Sequence, residues 1–275
     1  MCLLLYETFA MCVGYLIEMT YMENKMNLSL FFQQHPKAAI AFSGGVDSAY
    51  LLYTAIKCGA DVKAYYVKTA FQPQFELDDA MRLSEELGAD MEIIPCDILC
   101  EDKVTANPAD RCYHCKQKLF SLLTKKAKED GYTLVLDGTN ASDDAGDRPG
   151  MRAIRELSVR SPLRECGLTK AEIRRLSKEA GLFTLDKPAY ACLATRIPTG
   201  EVIMAEKLWK TEAAESYLSG LGLRDFRVRM MGNTAKLQVS GSGLQIILNN
   251  RKEIVAELKK YYDAVVLDLE TRDGQ

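Results

Sequence analysis

Residues 37–42 (KAAIAF) form a short apolar run that ends on Ser43-Gly44-Gly45-Val46-Asp47-Ser48. After it Val46, Ala49, Leu52, Ala55 and Ile56 fall on one face of a helical repeat. The order is strand, tight turn, helix, at what would be the carboxyl edge of a parallel sheet. Glycines let the backbone turn sharply and bare its N–H groups, the helix adds the positive end of its dipole, and the two serine hydroxyls add donors. Such a turn is a cradle for a polyphosphate, with Asp47 beside it as a Mg²⁺ ligand. An ordinary strand-to-helix turn has no need of two flanking hydroxyls and an acid together. The pattern also differs from GxxxxGK[ST], and its missing lysine argues against a loop that transfers a γ-phosphate.

Beyond this turn the pattern alternates. Residues 61–68 (DVKAYYVK) read as a second strand, 76–87 as an amphipathic helix stopped by Gly88, 91–94 as a third strand and 133–136 as a fourth. Strands alternating with helices predict an α/β fold, a doubly wound parallel sheet with helices on both faces. Residues 169–180 predict a further helix, with Thr169 as N-cap, Glu172 three positions on and Gly181 at the stop. After Gly181 come a proline-containing loop over 186–200, a helix near 202–221, strands at 226–230 and 235–239, another helix and a last strand at 264–267. This predicts a second, smaller α+β domain. The expected division is an extension at 1–25, a first domain over 26–190 and the smaller domain over 191–275.

At 275 residues, 48% hydrophobic and 27% charged, the chain has ordinary globular proportions, which removes collagenous, disordered and low-complexity readings. Thirty-five Lys and Arg against 38 Asp and Glu give a net charge of -3, so no global positive field draws in a nucleic-acid backbone, and no nucleic-acid partner is expected. Nine cysteines are an odd number in a chain that needs no staples, and a reducing compartment, the cytoplasm, is expected. The first 22 residues are apolar but carry Glu7 and Glu18 and lack a basic start, so neither a signal peptide nor a membrane anchor is expected. Met22 and Met26 leave this stretch as an added arm or an upstream start that the fold does not require.

Two blocks of sequence carry the cysteines of interest. One is Asn107-Pro108-Ala109-Asp110-Arg111-Cys112-Tyr113-His114-Cys115-Lys116; the other is Pro188-Ala189-Tyr190-Ala191-Cys192-Leu193-Ala194-Thr195-Arg196-Ile197-Pro198. Two thiolates three residues apart can reach one metal site, and a distant third can complete it. A redox pair lacks a thioredoxin-like context, and zinc would need a fourth ligand, for which His114 points the wrong way if 112 and 115 converge. Structural and zinc roles stay open beside the cluster. Cys2, Cys12, Cys58, Cys96, Cys100 and Cys166 follow no such pattern and read as incidental small side chains. Arg227 and Arg229, in FRVRM, alternate onto one sheet face, either solvated or holding an anion. By periodicity Glu215 reads as an exposed helix carboxylate. Asp143, Asp144 and Asp147 are loop acids that could hold Mg²⁺ or simply be solvated.

SGGVDS after a first strand resembles the signature of the PP-loop ATP pyrophosphatase superfamily, whose members adenylate a substrate oxygen and release pyrophosphate. The likeness extends through Leu136-Asp137-Gly138-Thr139-Asn140, similar to the segment that closes over the nucleotide, and through residues 161–182, similar to the late loop-helix element. The two cysteine blocks narrow it: they resemble the sulfur transferases that make the nickel-pincer nucleotide cofactor of lactate racemase. This resemblance implies ATP and Mg²⁺, with Ser43, Gly44, Gly45, Asp47, Ser48, Gly138 and Thr139 around the nucleotide and Asp47 on the metal. It implies Cys192 and Glu215, an acid near the active site, as the catalytic residues, and Lys116, Arg148, Arg196, Arg227 and Arg229 on the phosphate of a mononucleotide substrate. Some members give up the sulfur of the matching cysteine and keep dehydroalanine. Others hold a [4Fe-4S] cluster on three thiolates, here Cys112, Cys115 and Cys192, whose fourth iron could carry a sulfide.

The acceptor so implied is a pyridinium dicarboxylate mononucleotide, and the expected partners are a sulfur donor, a nickel-insertion protein and further copies of the chain. Three other readings remain open. A tRNA thiolase would lose activity as salt rises. An amidotransferase or NAD synthetase would use ammonia and keep working without Cys192. A sulfur-carrier module would not release pyrophosphate.

Overall fold

The computed structural model describes residues 27–143, 149–188 and 190–272. The extension expected at 1–25 lies outside the described residues, as do Asp144, Asp147 and Arg148. The first half runs α1 (Leu28–Gln34), β1 (Lys37–Ala41), α2 (Val46–Lys57), β2 (Asp61–Lys68), α3 (Gln74–Leu87), β3 (Met91–Pro95), α4 (Asp102–Thr105), α5 (Arg111–Glu129) and β4 (Val135–Leu136). Then come α6 (Pro149–Glu156), α7 (Pro162–Glu165), α8 (Lys170–Glu179), α9 (Ala205–Gly220), β5 (Phe226–Met231), β6 (Thr234–Val239), α10 (Gly241–Asn249), α11 (Arg251–Leu258) and β7 (Ala264–Leu267).

The first sheet is parallel throughout, in the order β3-β2-β1-β4. Its side chains obey the period of two that a strand imposes. Ala38 and Ile40 of β1, Ala64 and Tyr66 of β2 and Leu136 of β4 pack with the apolar faces of α1, α2 and α3. Their neighbours Ala39, Tyr65 and Val135 face the other way, onto Leu123 and Ala127 of α5 and Ile154 of α6. Both faces are thus covered, the doubly wound arrangement expected from the alternation. Each fully buried Leu, Ile or Phe in these layers contributes roughly 1.5–3 kcal/mol.

Two helix ends match the sequence signals closely. Gly88 closes α3 at φ 60°, and Thr169 opens α8 with a complete capping box in which Glu172 answers the Thr169 backbone. Three expected elements differ, the single helix expected before the last strand being two, α10 and α11. The fourth strand is reduced to Val135–Leu136, although Ala39 still donates to the carbonyl of Leu134 at 2.8 Å. The helix expected near 202–221 begins at Ala205.

The second sheet, β5-β6-β7, is small and mixed: β5 and β6 form an antiparallel hairpin, and β6 and β7 run parallel. Its core draws Val228, Met230, Ala235 and Leu237 together with Leu208, Ala214 and Leu218 of α9, and Phe71, Ile98 and Val104 join the same cluster. The two sheets are therefore bridged by packed side chains. Among the described residues no helix is long and apolar enough to cross a membrane.

Candidate active site

At the end of β1 the chain turns through Gly44 at φ 71°, and a Cβ there would come within 3.0 Å of the Ala80 Cβ on α3. Only glycine fits both the torsion and the space. Ser43 and Ser48 then lock the turn: the Ser43 N–H donates to Ser48 Oγ at 3.3 Å, Ser48 Oγ donates to the Gly45 carbonyl at 3.1 Å, and the two hydroxyls are 3.1 Å apart. The loop after β4 lies flat against this turn, since a Cβ on Gly138 would stand 2.9 Å from the Ser48 nitrogen. Asp137 holds that loop by accepting from Thr139 Oγ1 and Ser161 Oγ, each at 2.6 Å. Thr139 therefore spends its hydroxyl on Asp137.

Asp47 Oδ2 is paired with Lys170 Nζ at 2.5 Å, a lysine that the Thr169 cap places at the first position of α8. Asp47 Oδ1 is buried and has no hydrogen-bond partner among the described residues. Burial pushes this carboxyl up, against the pull of Lys170. An unpaired carboxylate oxygen beside the cradle is a hard donor of the kind Mg²⁺ takes. The cradle opens into a cavity of about 350 Å³ walled by Asp47, Tyr66, Glu76, Lys116, Phe120 and Gly138, among others. Because added volume at Gly138 would strike backbone, Gly138→Ala is expected to weaken MgATP binding about tenfold or more, an overpacking cost of roughly 1–3 kcal/mol. Titration with a fluorescent ATP analogue checks this, and wild-type affinity would refute the close approach.

The two cysteine blocks come together. Asn107, fully buried and at φ 54°, donates to the carbonyl of Pro198 at 2.8 Å and accepts from the Gly200 N–H through its own carbonyl at 2.8 Å. Arg111 donates to Asn107 Oδ1 at 2.5 Å and to the Ala194 carbonyl at 3.1 Å. Cys192 caps the short 3-10 turn Leu193–Arg196, and Cys112 and Cys115 lie at the start of α5. Burial pushes the Cys115 thiol up to about 12, with Cys192 and then Cys112 adding to the effect. Burial also raises Cys192, while Arg111 pulls it down. Cys112 and Cys115 thus stand one helical turn apart at the start of α5, with the Cys192 turn tied to the same helix start by Asn107 and Arg111.

Among the described residues no three His, Cys, Asp or Glu side chains stand round a single point as a ready site for one metal ion. A cluster places each thiolate on a different iron, which is a wider spread. Cys112, Cys115 and Cys192 are the thiols that would hold it, with the Arg111 guanidinium beside Cys112. His114 is turned to Asp110, 3.4 Å away.

The expected cations divide into separate roles. Arg196, expected on a phosphate, is 1% exposed and lies on Glu215 through two bonds of 2.7 and 3.1 Å, with Nη1 donating to the Ala191 carbonyl and to Thr195 Oγ1. Its donors are committed to holding the Cys192 turn. Glu215 is correspondingly not an exposed helix carboxylate: it is 4% exposed and also accepts from Tyr190 OH at 2.5 Å and the Val228 N–H at 2.8 Å. Periodicity could not see this, because the partners come from another element. Arg229 likewise donates to the Thr195 carbonyl at 2.9 Å and to Gln238 Oε1 at 2.5 Å, so the pair on β5 is not a solvated face. Arg227, 6% exposed, lines a second cavity of about 480 Å³ with Phe75, Lys187, Tyr190 and Glu215. Lys116 lines the nucleotide cavity.

Sequence reasoning missed several residues of this site. Lys170 was signalled only indirectly, by the cap before it. Lys187, which pairs with Asp79 at 2.7 Å and reaches the Gly44 carbonyl at 3.4 Å, had no local signal, nor had the Asn107–Arg111 stitch.

No family model matches the chain. It is 37% identical over 256 residues to an uncharacterised protein of Synechocystis, covering 90% of this chain and 95% of that one. It is 32% identical over 236 residues to the pyridinium-3,5-bisthiocarboxylic acid mononucleotide synthase of Lactiplantibacillus plantarum, covering 84% and 86% of the two. A tRNA-specific 2-thiouridylase of Thermotoga maritima is 28% identical over 196 residues, 55% of this chain and 54% of its own. The thiouridylase likeness covers about half of each protein, whereas the synthase likeness covers more than four fifths of both. The chain therefore belongs to the family of the pyridinium-3,5-bisthiocarboxylic acid mononucleotide synthase, a branch of the PP-loop superfamily.

Proposed function

We propose that the chain is an ATP-dependent sulfur transferase that activates a carboxylate of a pyridinium dicarboxylate mononucleotide and converts it to a thiocarboxylate, releasing AMP and pyrophosphate. The observation that carries this reading is the seat of Cys192. Its turn is tied through Asn107 and Arg111 to the start of α5, and the following turns of α5, from Lys116 to Leu123, wall the nucleotide cavity.

In this reading the amides at the start of α2 and the Ser43 hydroxyl hold the phosphates, with Ser48 releasing the Gly45 carbonyl to join them, and Asp47 Oδ1 offers the oxygen for Mg²⁺. A carboxylate oxygen of the acceptor attacks the α-phosphorus and the bond to pyrophosphate breaks. The protein contributes position and charge stabilisation rather than proton transfer. The Cys192 thiolate then attacks the acyl carbon and AMP leaves, joining acceptor and protein as a thioester. Loss of the Cys192 α-proton with cleavage of its Cβ–S bond frees the thiocarboxylate and leaves dehydroalanine. That route uses one chain per sulfur. A [4Fe-4S] cluster on Cys112, Cys115 and Cys192 would supply an exchangeable sulfide and spare the thiol. Of the expected phosphate cations we assign Arg227, on the wall of the second cavity, to the acceptor phosphate, with Arg196, Arg229 and Glu215 positioning the Cys192 turn. The nucleotide belongs to the unit at 26–190 and the acceptor chiefly to that at 191–275.

Two measurements on protein purified without oxygen test the reading. With MgATP and the dicarboxylate mononucleotide, pyrophosphate and thiocarboxylate should form in equal amounts; sulfur delivered to tRNA instead would overturn it. Iron and acid-labile sulfide should each approach about four per chain and be lost in Cys112→Ala. Protein that holds neither after reconstitution, and carries dehydroalanine at 192 after one turnover, would refute the cluster and establish the single-use route.

A further inference from the structure

The two cavities meet at one side chain. Glu76, near the start of α3, lines both the nucleotide cavity and the cavity that contains Arg227. On the wall of the first lies Tyr66, from β2, 2% exposed, whose hydroxyl is buried with no hydrogen-bond partner among the described residues. Its neighbour Tyr65 shows the usual arrangement, with its hydroxyl donating to Asp130 Oδ2 at 2.7 Å. Burying a phenol O–H with nothing to receive it is costly, and a ligand that brings an acceptor atom accounts for the exception.

Resting on the function proposed above, we infer that Tyr66 and Glu76 form the seat of the acceptor carboxylate, at the junction where it meets the α-phosphorus of ATP. The phenol O–H donates to the carboxylate oxygen that does not join phosphorus. That oxygen gains negative charge when sulfur attacks the acyl carbon, so the same donor serves both stages. Glu76 can share the task only while it holds its proton, because an ionised carboxylate would repel the incoming one. Burial pushes its carboxyl up and Asp79 adds to this, while Lys187, Lys68 and Arg196 pull it down. Of these cations, Lys187 is taken by Asp79 and Arg196 by Glu215. Burial, Glu76 and Asp78 together keep the Tyr66 hydroxyl protonated.

The test compares wild type, Tyr66→Phe and Glu76→Gln as full-length protein. Phenylalanine fills the same space and removes only the unsatisfied hydroxyl, so the variant should melt no lower than wild type. Binding of pyridine-3,5-dicarboxylate to protein preloaded with a non-hydrolysable ATP analogue should weaken about tenfold in Tyr66→Phe, the loss of one hydrogen bond to a charged group. In wild type that binding should fall as pH rises through the raised Glu76 carboxyl, and in Glu76→Gln, which cannot ionise, this fall should shrink to what Asp47, the other raised carboxyl on the cavity, contributes. Equal binding by wild type and Tyr66→Phe, including no binding by either, overturns the inference. Tyrosine-dependent binding without any thiocarboxylate formation upholds the seat and overturns the sulfur-transfer reading.

Discussion

Cys192→Ser abolishes thiocarboxylate formation, by about 10³-fold or more, while pyrophosphate is still released when MgATP and the acceptor are added. The split follows from geometry. No atom of residue 192 lines the cradle of Ser43 to Ser48 or the cavity above it, so adenylation keeps its machinery. What the variant lacks is the sulfur itself. A coupled pyrophosphate assay and mass analysis of the acceptor read the two halves separately, and thiocarboxylate formed at the wild-type rate would place the sulfur elsewhere. The pH dependence of the cysteine route has a definite sign. The attacking species is the thiolate, and burial raises the Cys192 thiol, so less thiolate exists at neutral pH than in a free cysteine. Single-turnover sulfur transfer should therefore rise by about tenfold per pH unit from neutrality up to the folded-state pKa.

The second large effect is on stability. Glu215→Ala should cost about 3–5 kcal/mol, because it leaves the Arg196 guanidinium buried without its counter-charge. The side chains are 1% and 5% exposed, and the same carboxylate also satisfies Tyr190 and the Val228 N–H. In a chain of this size such a loss lowers Tm by about 6–20 °C. Glu215→Gln keeps acceptor and donor atoms but no charge, and should fall between the two. Calorimetry of all three proteins checks the order; an alanine variant that melts with wild type would mean that Arg196 finds another anion.

The parts of this fold that were legible in the sequence are those whose causes are local. Gly44 and Gly45 announce a turn, the apolar repeat from Val46 announces the helix after it, and Thr169 with Glu172 announces the start of α8. Alternation between strand and helix patterns was enough for the doubly wound sheet. The parts that were not legible depend on partners far along the chain. Lys170 meets Asp47 across 123 positions, and Asn107 reaches Pro198 across 91. Arg196 and Glu215 are each polar residues with an ordinary surface reading until a 3-10 turn and α9 bring them face to face. Helix α5 went unread for another reason. Its buried face, Leu123 and Ala127, is narrow and set among lysines, and its first turn carries the cysteines that drew a metal-site reading instead.

The Asn107–Arg111 stitch also bears on how the sulfur centre is loaded. Bringing Cys115 and Cys192 together closes a loop of about 80 residues, a loss of chain entropy worth roughly 4 kcal/mol if a ligand had to supply it. Here buried amide and guanidinium bonds close the loop as the chain folds. Under the cluster proposal, an incoming metal or sulfur species would therefore meet blocks already joined, its affinity undiminished by closing that loop, and a partly folded chain, in which the blocks are still apart, would have no such centre to load.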